Sequence, residues 1–278
     1  MKSSKLEKLE ELKERLNIEI NGLENYFQND NPSLVVANHS CLMDIFYLPL
    51  AIPEDTVSLI SPRIMYKKIP ERQKLIQKYL YAMPIEAQGG INYTNICLEE
   101  ATRLLCNGIS LNIFPEGAYV PDNSVVYKGR TGASRILYGA LVKGVAVNLI
   151  PVSIDIKEKI IDLDSYDIEN YKIEISILSN INYDEYFQGY LSSAAEQKIR
   201  NKFLHKPIDE ALKSIATRLN KPYSYNYIDL YPKNNVIFQD GTLISKDIAN
   251  KGEYLELYRT ELHKYSTNLC KTLSRNRK

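Results

Sequence analysis

The sequence predicts an α/β layer protein. Short apolar runs suited to buried strands alternate with segments whose apolar positions recur at helical spacing. The runs are Leu34–Ala37, Leu111–Phe114 and Val145–Ile154, and the helical segments cover 94–107 and 131–143. Composition agrees: 44% of the 278 residues are hydrophobic and 25% charged, which excludes wholesale disorder. With 35 Lys plus Arg against 34 Asp plus Glu the formal net charge is +1, so the chain as a whole is no polyanion binder and nucleic acid is excluded as a partner.

The elements follow in order. Over 5–24, Leu9, Leu12, Leu16, Ile20 and Leu23 step by three or four along one stripe, opposite a face bearing Lys8, Glu10, Glu11, Lys13, Glu14 and Arg15. This pattern predicts an amphipathic helix laid on a core; a coiled coil or a membrane-surface helix are the alternatives. Asn31-Pro32 breaks the chain, and the strand Leu34–Ala37 ends at Asn38-His39-Ser40, followed by the apolar stretch Cys41–Leu50. A basic segment, Arg63–Lys68, precedes a predicted helix over 71–80. The helix over 94–107 stops at Asn107-Gly108, a C-cap pattern, and Leu111–Phe114 ends at Pro115-Glu116-Gly117. Tyr171–Ile177 alternates, with Ile173, Ile175 and Ile177 on one face, and predicts a more exposed strand.

Beyond residue 188 the character changes. Residues 190–219 read as helix, Tyr223–Tyr231 as irregular and tyrosine-rich, and Gln239-Asp240-Gly241 as a hairpin turn. Leu255, Tyr258, Leu262, Tyr265, Leu269 and Leu273 form one stripe over 253–273, and Arg259–Lys278 holds six Lys plus Arg and one Glu. That basic stripe fits a solvated face, or a dock for an acidic carrier protein or an anionic bilayer. The expected organisation is an N-terminal amphipathic helix (1–29), a core (30–188) and a helical C-terminal extension packed on it (189–278).

Cys41, Cys97, Cys106 and Cys270 are widely spaced without C-x-x-C, which indicates neither a zinc site nor a disulfide framework and fits a reducing compartment. The first residues are too charged for a signal-peptide core, and no apolar run approaches the roughly 20 residues of a spanning helix. The expectation is a cytoplasmic protein, with peripheral contact at the inner membrane face left open. No P-loop, dinucleotide fingerprint or G-x-S-x-G elbow is present, and His205 and His263 lack metal-ligand spacing, so neither a metal nor a cofactor is expected.

The informative segment is Asn38-His39-Ser40-Cys41-Leu42-Met43-Asp44. A histidine ending a buried strand lies at the sheet's C-terminal edge, where α/β proteins put ligand sites. Asp44, in the first turn of the next helix, can reach back to the imidazole. The carboxylate would fix the tautomer while the other ring nitrogen takes a proton from a nucleophile. The same residues also fit a structural histidine and a capping aspartate. Cys41 reads as a small apolar filler rather than a nucleophile.

Asn-His-x-x-x-x-Asp with the later Phe114-Pro115-Glu116-Gly117 resembles the PlsC-type glycerolipid acyltransferases, the group of glycerol-3-phosphate and lysophosphatidate acyltransferases. Arg63 with Ile69-Pro70, Lys128-Gly129-Arg130-Thr131-Gly132 and Leu149-Ile150-Pro151-Val152 resemble further, weaker marks of that family, and the resemblance covers 30–180. It implies a central, largely parallel or mixed sheet flanked by helices. By the resemblance, His39 would deprotonate an acceptor hydroxyl or amine that attacks an acyl-CoA or acyl carrier protein thioester, with Asp44 orienting His39. Glu116, Gly117, Arg63, Lys128 and Arg130 would serve the acceptor, and Pro151 and Val152 the donor. Glu116 also fits a turn cap, Pro151 and Val152 a core strand, and the three cations a charged surface.

Two departures stand out. The family's second motif commonly carries an arginine for the acceptor phosphate, where Met83-Pro84-Ile85-Glu86-Ala87 has alanine. After Gly117 the chain reads Ala118-Tyr119-Val120 where Thr-Arg-Ser is common. Loss of two guanidinium contacts predicts an acceptor without glycerol phosphate's headgroup. A conventional lysophosphatidate acyltransferase using Arg63, Lys128 and Arg130, and an inactive lipid- or carrier-binding scaffold, are the alternatives.

Overall fold

The apolar runs become adjacent strands because each is flanked by a helix long enough to cross back over the sheet, the connection that parallel pairing requires. The computed structural model describes residues 4–26, 29–66, 70–85, 91–119, 124–157, 172–193, 197–228, 235–238, 242–245 and 251–276. Its first half contains α1 (Ser4–Arg15), β1 (Ile18–Asn21), β2 (Ser33–Ala37), α2 (Asp44–Ala51), β3 (Val57–Ile60), α3 (Pro62–Tyr66), α4 (Pro70–Tyr79), β4 (Tyr81–Pro84), α5 (Ile91–Cys106) and β5 (Leu111–Ile113). Then come β6 (Val126–Tyr127), α6 (Thr131–Val142), β7 (Asn148–Ile156), β8 (Ile173–Ile177), α7 (Asp184–Ser192), α8 (Gln197–Leu219), β9 (Tyr223–Ser224), β10 (Asn235–Ile237), β11 (Leu243–Ser245) and α9 (Gly252–Asn276).

The main sheet has the order β1-β8-β7-β2-β5-β3-β4. Strands β7, β2, β5, β3 and β4 are mutually parallel, so their C-terminal ends share one edge; β8 runs antiparallel to β7, and β1 parallel to β8. The sheet is therefore mixed and largely parallel. Alternate residues of β2 face opposite layers, as strand geometry demands. Leu34 and Val36 join the core beneath α5, α6, α8 and α9, whereas Val35 and Ala37 join the one beneath α1, α2 and α4.

Local sequence ends several elements as predicted. After α5, Gly108 adopts φ +78°, its N–H donates to the Leu105 carbonyl and that of Ile109 to the Leu104 carbonyl. This Schellman pattern needs a residue that tolerates the left-handed region.

Four expectations are corrected. The helix expected over 5–24 ends at Arg15, because Ile18 and Ile20 alternate and pair as an edge strand with Ile173 and Ile175. The strand expected to be more exposed, β8, is interior, with Ile173, Ile175 and Ile177 all buried between β1 and β7. The helix over 190–219 is two helices, α7 and α8. Tyr223 and Ser224, expected to be irregular, pair as β9 with β6. β10 and β11 pair as a hairpin, while its expected turn at 239–241 lies outside the described residues.

α9 packs on α5. Arg103 of α5 bridges Glu100 and Ser266, and the Tyr265 hydroxyl donates to the Ala82 carbonyl at 2.8 Å. Tyr258 sits edge-on to Tyr93 and Phe238, at centroid distances of 4.9 and 5.5 Å. Emptying such a buried aromatic site costs about 3–5 kcal/mol. Tyr258→Ala should therefore shift the whole urea transition, read together by circular dichroism and tyrosine fluorescence. An unshifted core transition would show that α9 does not support the sheet.

Candidate active site

His39 and Asp44 meet because β2 ends at the C-terminal edge and α2 begins there. Asp44 is the first residue of α2 and is fully buried. Its Oδ2 lies 3.1 Å from His39 Nδ1 and also accepts the backbone N–H groups of Ser40 and Cys41, the latter at 2.9 Å. The oxygen already collects two N–H donors, so the imidazole completes the set by donating from Nδ1. That assigns the tautomer with an unprotonated Nε2, and no hydrogen bond from another described residue occupies that nitrogen. The Cys41 thiol donates to Asp44 Oδ1 at 3.6 Å. Burial, reinforced by the Asp44 charge, holds that thiol well above its usual range, which removes it as a nucleophile.

The imidazole is packed as well as bonded. It stacks on Phe114, with ring centroids 4.3 Å apart and planes 22° apart, and meets Tyr119 edge-on at 5.8 Å. Asn38 supports it from behind: its amide donates to the Ile154 carbonyl at 2.9 Å and accepts from the Ile154 N–H at 2.8 Å. The side chain thereby copies a peptide group and prolongs the β2–β7 ladder. This clamp was not foreseen, although an Asn beside the histidine was its visible signal.

Glu116 joins the same assembly. It is 1% exposed, accepting the His39 N–H on one oxygen and the Tyr127 N–H on the other, each at 2.8 Å. Burial pushes its carboxyl up to about 8, against the pull of those two N–H donors and of Lys221, and the Asp44 charge adds to the rise. Gly117 turns the chain at φ +81°, a conformation that favours glycine. Gly129 permits close packing: a Cβ there would lie 2.9 Å from side-chain atoms of Pro115, Ile208 and Leu212.

A family model described as Acyltransferase matches residues 17–155, half of the chain. The chain belongs to the acyltransferase family. No curated protein matches it. Among solved structures, it is similar to the 1-acyl-sn-glycerophosphate (LPA) acyltransferase PlsC from Thermotoga maritima. Identity is 23%, covering 77% of this chain and 80% of that one, with a TM-score of 0.49.

In this acyltransferase the remaining expected site residues scatter more widely. Lys128 Nζ and the Arg130 guanidinium lie over the Tyr227 ring, 5.4 and 5.5 Å from its centroid, and Arg130 Nη2 donates to the Ile228 carbonyl at 2.6 Å. Both are half-buried and tied to the segment after α8. Arg63 lies on α3, after β3 at the same sheet edge. Pro151 pairs with Val36, and Val152 is fully buried beside Val35 and Ala37 in the core. Ile69, Glu86, Ala87 and Val120 lie outside the described residues.

Glu116 makes a pH test. A carboxyl held higher in the folded chain than in the unfolded one contributes stability that is complete below the unfolded value of 4.5 and lost as pH rises through about 8. Melting of the wild type should therefore decline relative to Glu116→Gln between those limits. Parallel curves would contradict the burial of an ionisable group there.

Proposed function

We propose that this acyltransferase moves an acyl group from an acyl thioester to a hydroxyl acceptor, with His39 as general base. The observation carrying the proposal is the Asp44–His39 Nδ1 hydrogen bond, which aims proton affinity at Nε2. His39 Nε2 takes the acceptor's proton as its oxygen attacks the thioester carbonyl. The tetrahedral intermediate then collapses, the C–S bond breaks, and the imidazolium returns the proton to the departing thiolate. Asp44 stabilises the imidazolium throughout. Glu116, with both oxygens held by backbone N–H groups, acts as a brace for the His39 and Tyr127 segments. This reading replaces direct acceptor binding by Glu116. No acyl-enzyme is needed.

For the acceptor, we infer an alcohol lacking a phosphate beside its reacting hydroxyl. Tyr119 stands where the family's third motif commonly continues with arginine, and its ring packs against His39 instead of offering a cation. The conventional lysophosphatidate reading keeps one observation in its favour. Arg130 holds a buried Nε with no hydrogen-bond partner among the described residues, a donor that a phosphate oxygen could take.

Thiol release from acyl-CoA and from acyl carrier protein, measured against glycerol 3-phosphate, lysophosphatidate and uncharged alcohols, separates these readings. His39→Ala should lower turnover about 10²–10⁴-fold with folding kept. Release favouring uncharged alcohols supports the acceptor proposal, and Tyr119→Arg should then lower KM for phosphate acceptors. Efficient wild-type turnover of lysophosphatidate overturns the acceptor proposal. Unchanged turnover in His39→Ala overturns the mechanism.

A further inference from the structure

The chemistry above gives no role to the outer face of α8 and the tyrosine segment that follows it. Between Gln197 and Lys206, α8 carries Lys198, Arg200, Lys202 and Lys206 and no carboxylate. Glu196 precedes this run in sequence and Asp209 follows it. Lys198 and Arg200, in the first turn, oppose the helix dipole, so helix stability does not account for them. Ile199, Lys202, Lys206 and Lys213 are spaced by three, four and seven residues and share one stripe, and the first three are exposed.

The stripe continues onto aromatic rings. Lys213 Nζ lies over Tyr225 and Tyr223, at 5.6 and 5.9 Å, and Tyr227, two residues on, receives Lys128 and Arg130. Tyr225 is 71% exposed and Tyr227 40%. Among the described residues two carboxylates interrupt the face, and both are engaged: Asp209 accepts from the Tyr223 hydroxyl, and Glu210 from Lys213. The surface adjoins the candidate active site through the short β6–β9 ribbon, in which Tyr127 pairs with Ser224 while donating its N–H to Glu116.

We propose that this face docks on an anionic membrane surface. Lysines reach lipid phosphates electrostatically, and tyrosine rings favour the boundary between headgroups and acyl chains. An acidic protein partner would match the lysines as well, and binding to an isolated carrier protein against binding to vesicles separates the two. Docking here would bring the sheet edge that holds His39 against the bilayer. Apart from Lys128 and Arg130, the residues involved lie outside the matched stretch 17–155.

Flotation of the full chain with phosphatidylcholine vesicles, with and without phosphatidylglycerol, reads this directly and without turnover, so it stands apart from the His39 chemistry. The wild type should float only with phosphatidylglycerol present, and less as salt rises. Each cation near an anionic surface is worth about fivefold in partition, so Lys202→Ala/Lys206→Ala should bind about 25-fold more weakly. Tyr225→Ser should also weaken binding. Thermal melting and turnover of water-soluble substrates should match the wild type in every variant, which excludes misfolding. A wild type that fails to float, or lysine variants that float undiminished, overturns the proposal. So does selective loss of binding to an isolated acyl carrier protein with vesicle binding intact.

Discussion

One buried carboxylate organises this protein's chemistry. Asp44 Oδ2 gathers the imidazole of His39 and the N–H groups of Ser40 and Cys41 within a single turn of chain. A carboxylate taken out of water without such donors would be expensive, and here the donors are supplied by the loop the carboxylate shapes. The loop geometry, the imidazole orientation and the start of α2 are therefore one feature. Glu116 repeats the device from the neighbouring strand, binding the His39 and Tyr127 N–H groups and joining the β2 and β5 ends to β6. Two interior carboxyl groups thus fix three separate chain segments around one histidine.

The sheet sets the place where this can happen. Parallel β7, β2 and β5 deliver Ile154, Asn38 and Glu116 to the same edge, and the Asn38 amide bridges the first two. From the other side α8 closes on the site through Gly129, whose missing side chain lets Ile208 and Leu212 approach Pro115. Residues beyond the family-matched stretch therefore help shape the site, because α8 and β9 hold β6 and the Lys128–Arg130 segment.

Much of this was readable beforehand where one local rule sufficed. The run Leu34–Ala37 ending in Asn-His needed a buried strand and an abrupt polar stop, and Asp44 five residues on could reach back. Asn107-Gly108 announced a helix end. The misreadings arose where two periods overlap or where a partner lies far away in sequence. Leu16, Ile20 and Leu23 continue a helical stripe, yet Ile18 and Ile20 also alternate, and pairing with β8 decided for a strand. The alternation in β8 was legible, but its burial depended on that same distant strand. The motif points to Glu116 but not to its backbone partners, since hydrogen bonds to main-chain N–H groups leave no trace in composition. The basic end of the chain and the cation-rich stretch of α8 look alike in sequence, because charges on a helix do not show what they face until tertiary contacts do.

The claim on which the rest stands is that Asp44 holds His39 as the Nδ1–H tautomer, leaving Nε2 as the base. The chain has three histidines, so ¹⁵N-labelled imidazole spectra can be assigned by comparison with His39→Ala. For His39 at neutral pH they should show a protonated Nδ1 and a bare Nε2, and Asp44→Asn should disturb that pattern. An Nε2–H tautomer, or spectra unchanged by Asp44→Asn, would contradict it.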